Sequence, residues 1–187
     1  MFRNDTKNQA DKLLLDIQLV EVLNKQGIVH FTGSYYLDVM VPLDIDIHVL
    51  ANDYNRGEYI QSIHAYIEKH ENICESFISH KKGFEEFATN LDIAPLGTYV
   101  GLGIKYGGKY WKLDIWYYEK GCDPVDSIGM SMKYKKVLDS NPKKRYLITK
   151  LKKEVYDFEA RKYQSGFSGA IIYDGVLYKG LQYRRRF

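Results

Sequence analysis

The pair Gly107-Gly108 constrains this chain more than any other feature. It lies between two runs of period-two alternation, Gly97 to Tyr106 and Lys109 to Tyr118. A two-residue turn that takes positive φ at both positions matches the twist of the strands it joins, so the pair predicts a tight hairpin. Such a turn also fixes the register: Tyr106 opposes Lys109, Gly103 opposes Lys112, and Gly101 opposes Asp114. One face of the ribbon then carries Val100, Leu102, Ile104, Trp111, Leu113 and Ile115, a core face. The other carries Gly101, Gly103, Lys112 and Asp114, an open polar floor where a ligand can lie against backbone. The plainer reading of Lys112 and Asp114 is a surface charge pair.

A second alternating run predicts another strand. Leu43, Ile45, Ile47 and Val49 point one way, and Asp44, Asp46 and His48 the other. Upstream, apolar residues recur at helical spacing from about Asn8 to Lys25, and Gly27 can close that helix. Ile28 to Thr32 reads as a short strand, and residues 34–41 as a short helix that Pro42 ends. A helix follows from about Glu58 to Lys69, whereas residues 75–94 show no clear period. Past Gly121 the pattern is helical, with breaks near Asn141-Pro142 and Ser165-Gly166. These elements predict a mixed α/β (α+β) domain over residues 1–120 and a helical C-terminal region over residues 121–187.

At 187 residues the chain can bury a core without disulfides or structural metals. An apolar fraction of 45% excludes global disorder. A net charge of +3 is too small to imply nucleic acid by itself. Cys74 and Cys122 match no metal spacing and read as free thiols. No signal-like segment or membrane-spanning apolar stretch occurs, so a cytoplasmic protein with no membrane partner is expected.

The chemistry concentrates in two places. Asp44 and Asp46, at i and i+2 on a strand, share a face with Cα atoms about 7 Å apart. Two such carboxylates repel unless a cation lies between them, and oxygen pairs of this kind suit Mg²⁺. Ten residues before Asp44, Gly33-Ser34 follows a strand and opens a helix, where backbone N–H groups and a hydroxyl can bind phosphate. The plain alternatives are an exposed strand face and a simple turn. Asp114 offers a third carboxylate from the hairpin.

Residues 133–153 carry nine Lys and Arg (Lys133, Lys135, Lys136, Lys143, Lys144, Arg145, Lys150, Lys152 and Lys153) against one acid, Asp139. They read either as a solvated helix face or as a source of charge for a triphosphate or an acidic acceptor. Aromatic residues do not interleave with them as a base-stacking platform requires. His48 continues the acidic face and reads as a partly exposed structural histidine. Asp38 reads as a surface loop residue, and Arg184-Arg185-Arg186 as a solubilising end.

Gly33-Ser34, the Asp44-Ile45-Asp46 strand and the later Lys112-Leu113-Asp114-Ile115-Trp116 together resemble the DNA polymerase β-like nucleotidyltransferase superfamily, its small bacterial-type members in particular. The likeness spans roughly residues 28–120. It implies a polymerase β-like sheet with flanking helices. It implies Asp44, Asp46 and Asp114 as catalytic and metal-binding residues, and Gly33, Ser34 and Lys112 as nucleotide-binding ones. It also implies Mg²⁺ or Mn²⁺ as cofactor and a nucleoside triphosphate such as ATP as substrate. Many relatives carry Arg-Gly shortly after Gly-Ser, where this chain has Tyr35-Tyr36-Leu37-Asp38, and Ser before the first Asp, where it has Leu43. The first departure bears on triphosphate contact and not on the metal site. The resemblance implies transfer of a nucleoside monophosphate to an acceptor, with release of pyrophosphate. The acceptor class (small molecule, RNA or protein) is open. The alternative is a non-catalytic nucleotide-binding or toxin–antitoxin-type regulatory module.

Overall fold

The computed structural model describes residues 5–53, 55–82, 96–119 and 126–181. Five strands form one mixed sheet: β1 (Gly27–Thr32), β2 (Asp44–Ala51), β3 (Ile73–Lys82), β4 (Leu96–Tyr106) and β5 (Lys109–Glu119). Their spatial order is β1-β2-β5-β4-β3, with β2 and β5 parallel and the other neighbours antiparallel. The hairpin forms in the expected register, Tyr106 opposite Lys109 and Gly101 opposite Asp114. Gly107 and Gly108 take φ of 57° and 72°, so both positions use the left-handed region that glycine enters freely.

One sheet face is the main core. Ile45, Ile47 and Val49 of β2 join Val100, Leu102, Ile104, Trp111, Leu113 and Ile115 of the hairpin. Three helices cover them: α1 (Asp5–Ile17), α2 (Leu19–Asn24) and α4 (Arg56–Glu68). Leu13, Ile17 and Leu23 come from the first two, and Tyr59, Ile63 and Tyr66 from the third. Each such burial contributes roughly 1.5–3 kcal/mol. The Tyr66 hydroxyl donates to the Ile17 carbonyl at 2.8 Å, which ties α4 to the end of α1. Tyr59 stacks on Tyr117 with ring centroids 4.1 Å apart.

A second core lies beyond the other face. It is built by α5 (Ser127–Ser140), α6 (Lys143–Val155) and α7 (Gly169–Leu177), through Tyr134, Leu138, Ile148, Ile172, Tyr173 and Val176. Leu37 and Val39, from the segment between α3 (Gly33–Tyr36) and β2, belong to the same cluster. Arg145 fastens the two parts, donating to the carbonyls of Leu37 at 3.3 Å and Leu138 at 3.1 Å. The C-terminal helices are therefore anchored on the segment that leads into the aspartate strand.

Four differences from the sequence reading have local causes. The first helix is two helices, broken at Gln18 with φ of 53°. The helix expected over 34–41 stops after Tyr36, because Asp38 takes φ of 57°; that residue is half-buried rather than a surface position. Part of the stretch without a clear period is β3, an edge strand whose mixed exposure erases clean alternation. The C-terminal region is not wholly helical, since β6 (Tyr156–Asp157) and β7 (Lys162–Tyr163) form a small hairpin. Asp157 builds its turn by accepting from the N–H groups of Glu159 and Ala160, both at 2.9 Å. Gly121, Cys122 and Arg184-Arg185-Arg186 lie outside the described residues. Among the described residues no helix is long and apolar enough to cross a membrane.

Tyr59 gives a test of this core. Its hydroxyl is buried without a hydrogen-bond partner among the described residues, while its ring fills the α4–sheet interface. Tyr59→Phe is expected to keep or raise the melting temperature, because it removes a desolvated polar atom. Tyr59→Ala is expected to cost about 3–5 kcal/mol in denaturant unfolding.

Candidate active site

Strand pairing arranges the second face of the sheet in rows. Thr32, Asp46, Asp114, Gly101 and Phe77 line up across β1, β2, β5, β4 and β3. The row on one side is Asp44, Lys112, Gly103 and Glu75; the row on the other is His48, Trp116, Tyr99 and Ser79. Neighbouring strands lie about 4.8 Å apart, so Asp114 is the lateral neighbour of Asp46 and shares its face.

Gly33 and Ser34 come up against this face at the end of β1. The Ser34 hydroxyl donates to Asp44 Oδ1 at 3.4 Å. Gly33 takes φ of 58°, and a Cβ built there would lie 2.0 Å from Asp46 Oδ2. Only glycine satisfies both the backbone angle and the space the carboxylate occupies. The Gly33 N–H donates to Ser131 Oγ of α5 at 3.4 Å, so this backbone group already faces the C-terminal helices.

Those helices close a cavity of about 660 Å³ over the face. Asp44, Asp46, His48, Trp116 and Tyr118 line it from the sheet, and Thr32, Gly33 and Ser34 from the α3 turn. Met130, Ser131, Tyr134, Lys152, Tyr163, Tyr173 and Asp174 line it from the C-terminal part. Lys152 is 1% exposed and donates to the Val39 carbonyl at 3.2 Å and the Tyr173 hydroxyl at 3.3 Å.

The charges here strain against one another. Burial pushes the Asp46 carboxyl up to about 7, helped by Asp44 and Asp114 and opposed by Lys152 and Lys112. Burial also raises Asp44, with Lys152 as its main counter-charge. Burial pulls Lys152 down to about 8, against the attraction of Asp44 and Asp46. Two carboxylates thus share a single buried ammonium.

Asp114 is placed differently. Its side chain is 17% exposed, and Lys112 Nζ lies 2.9 Å from Oδ2 in an ion pair. Tyr99 donates its hydroxyl to Oδ1. Neither Asp114 nor Lys112 lines the cavity. The hairpin floor is not open as expected. A Cβ on Gly101 would lie 2.9 Å from the Tyr99 hydroxyl, and one on Gly103 2.3 Å from that of Tyr110. The two glycines make room for tyrosines of this chain.

The basic stretch resolves residue by residue. Lys133 pairs with Asp126, and Lys135 and Arg145 with Asp139. Lys136, Lys143 and Lys153 are exposed, and Lys144 donates to the Leu177 carbonyl at 3.0 Å. Of the basic side chains of this stretch, only Lys152 lines the cavity. Its signal was present in the spacing: Lys152 falls four residues after the buried Ile148, on the apolar side of α6. His48 is 5% exposed and stacks on Tyr118 with centroids 5.6 Å apart, so it is more buried than expected.

The donor set fits a hard divalent cation. Asp44 and Asp46 offer carboxylate oxygens whose charge is under-compensated, and a cation between them would relieve that cost. Among the described residues no group of three His, Cys, Asp or Glu side chains forms a ready-made metal cage. An ion held by one or two carboxylates, with water and substrate oxygens completing the shell, is how Mg²⁺ is commonly bound.

No family model matches the chain, and no curated protein matches it. Among solved structures it is similar to terminal uridylyl transferase 4 from Trypanosoma brucei with bound GTP, at 17% identity and a TM-score of 0.43. The likeness covers 78% of this chain, which spans 40% of that one.

The raised carboxyls predict a pH dependence. Asp46 binds a proton more tightly folded, near 7, than in a free carboxyl with an ordinary value of 3.8. Its stabilising contribution is therefore complete below about pH 4 and lost as pH rises through about 7. With divalent ions chelated, stability at pH 8 is expected to fall below that at pH 5. Asp46→Asn should flatten most of that fall in denaturant titrations at the two pH values.

Proposed function

We propose that this chain is a divalent-metal-dependent nucleotidyltransferase. Residues 1–120 supply the carboxylates and residues 121–187 close the nucleotide cavity. One observation carries the reading. Asp44, Asp46, Ser34 and Lys152 all line one cavity of about 660 Å³, with Asp114 in register beside Asp46. Carboxylates for a cation and an ammonium for an anion, set side by side, suit a metal–triphosphate complex.

In this reading Asp44 and Asp46 hold Mg²⁺ or Mn²⁺, which when bound neutralises charge on the transferring phosphate. Lys152 and Ser34 face the terminal phosphates, and Lys112 adds positive charge at the edge of the site. The cavity orients the anhydride toward the row of Asp46 and Asp114. Asp114 holds the acceptor hydroxyl and takes its proton as the oxygen attacks the α-phosphorus, and pyrophosphate leaves. ATP is the first substrate to test, and a cytoplasmic setting is proposed with it.

A second reading has its own support. Both oxygens of Asp114 are engaged by Lys112 and Tyr99, as befits a module that binds a nucleotide without transferring it. Two measurements separate the readings. A triphosphate is expected to raise the melting temperature only with Mg²⁺ or Mn²⁺ present. The Asp44→Asn, Asp46→Asn double variant should lose that shift while staying folded. No shift with any triphosphate and metal would overturn both readings.

Asp114→Asn then tests chemistry. The amide is nearly isosteric and Asp114 lies outside the cavity wall, so most triphosphate affinity should remain. Transfer of label from an α-labelled triphosphate to acceptors in a cell extract should drop by roughly 10²–10⁴-fold. Wild-type transfer by this variant would reduce Asp114 to the partner of Lys112. Metal-dependent binding with no transfer by the wild type would favour the binding module.

A further inference from the structure

Tyr99 occupies the place that the proposed reaction gives to its acceptor. The phenol donates to Asp114 Oδ1, the same carboxylate that is to receive the acceptor's proton. Asp114 lies in register beside Asp46, which lines the nucleotide cavity. The phenol therefore sits one strand from the carboxylates that face the triphosphate.

Its position is built rather than incidental. Tyr99 stands on β4 in the row next to Asp114, and it reaches across because Gly101 has no side chain. A Cβ on Gly101 would come within 2.9 Å of the phenol oxygen. The ring is held against Trp116 at 4.9 Å and near Phe77 at 6.2 Å between centroids. Phe77 is 60% exposed and Tyr99 is half-buried, so this corner of the face is open to solvent. Tyr99, like Asp114, stands beside the cavity rather than in its lining; Tyr163 and Tyr173 line it, but neither is hydrogen-bonded to Asp114.

We infer that Tyr99 is a nucleotidylation site of this protein, modified by the chain's own active site. This rests on the transferase reading above. In the step, the phenol oxygen of Tyr99 bonds to the α-phosphorus. The bond from that phosphorus to the oxygen bridging it to the β-phosphate breaks, and pyrophosphate leaves with the bonding pair. The phenol proton passes to Asp114. The product is a tyrosyl phosphodiester carrying one nucleoside monophosphate. The bulky adduct would fill the acceptor's approach to Asp114, so the modified protein should transfer to other acceptors more slowly.

The test uses the purified full chain with Mg²⁺ and each of the four common α-labelled ribonucleoside triphosphates, with no other acceptor present. Covalent label on protein and a mass gain of one nucleoside monophosphate are expected. Tryptic cleavage after Lys82 and Lys105 releases residues 83–105, a fragment whose only tyrosine is Tyr99. The gain should map there. Tyr99→Phe keeps the ring packing and should lose at least nine-tenths of the label, with the metal-dependent melting shift by triphosphate retained. Label at another residue, or undiminished label in Tyr99→Phe, overturns the inference and leaves transferase chemistry standing. No label, with the metal-dependent shift intact, overturns the inference alone and makes Tyr99 a positioning residue for Asp114. Absence of the shift itself overturns the transferase reading, and this inference with it.

Discussion

Asp44 and Asp46 face one buried ammonium, that of Lys152, and much of the molecule is arranged around that imbalance. The carboxylates come from a strand whose other face is core, so they cannot turn away from the cavity without turning Ile45 and Ile47 out of it. The ammonium comes from α6 and is fixed by the Val39 carbonyl and the Tyr173 hydroxyl. Those contacts hold the C-terminal helices to the segment that enters β2. The same charge that tempers the carboxylates thus helps hold the second hydrophobic cluster together around the entry to β2.

Close approach does the remaining positioning. At Gly33 the missing Cβ lets the Asp46 carboxylate press against backbone; at Gly101 and Gly103 it admits the hydroxyl ends of Tyr99 and Tyr110. Each glycine is paired with one polar tip. Those tips meet carboxylates: Tyr99 meets Asp114, and Tyr110 meets Glu75 at 2.6 Å. The abundance of tyrosine, which composition alone leaves without a role, has here a structural one. A phenol spans the gap above a glycine and ends in a donor, which phenylalanine cannot do.

The hairpin register and the core faces of β2, β4 and β5 were legible because each depends on local chemistry, a two-glycine turn and strict alternation. Strand order was not, since the parallel pairing of β2 with β5 joins segments far apart in sequence and leaves no local mark. That pairing sets Asp114 beside Asp46. The edge strand β3 was illegible because neither of its faces is cleanly buried. Among the cations, charge counting found the stretch around α6 but could not single out Lys152. What distinguishes it is a place on the apolar side of the helix, where a lysine is retained only with partners. The glycines of the floor were misread for a related reason. Sequence shows that a Cβ is absent, but not which side chain takes the space.

The electrostatics also bear on what the cavity selects under the proposed reading. A free triphosphate would meet two carboxylates against one ammonium, so its charge is opposed on the sheet side. A bare divalent ion would satisfy the carboxylates but face the buried ammonium of Lys152. A metal–triphosphate complex presents cation and anion together, and can turn the first toward Asp44 and Asp46 and the second toward Lys152. Each side chain then gains a counter-charge without losing the one it has. On binding, the carboxyls should release protons and Lys152 should retain its own, since each is drawn toward its charged form. Selection for the complex over either component therefore follows from the placement of three charges, before any contact with base or sugar is considered.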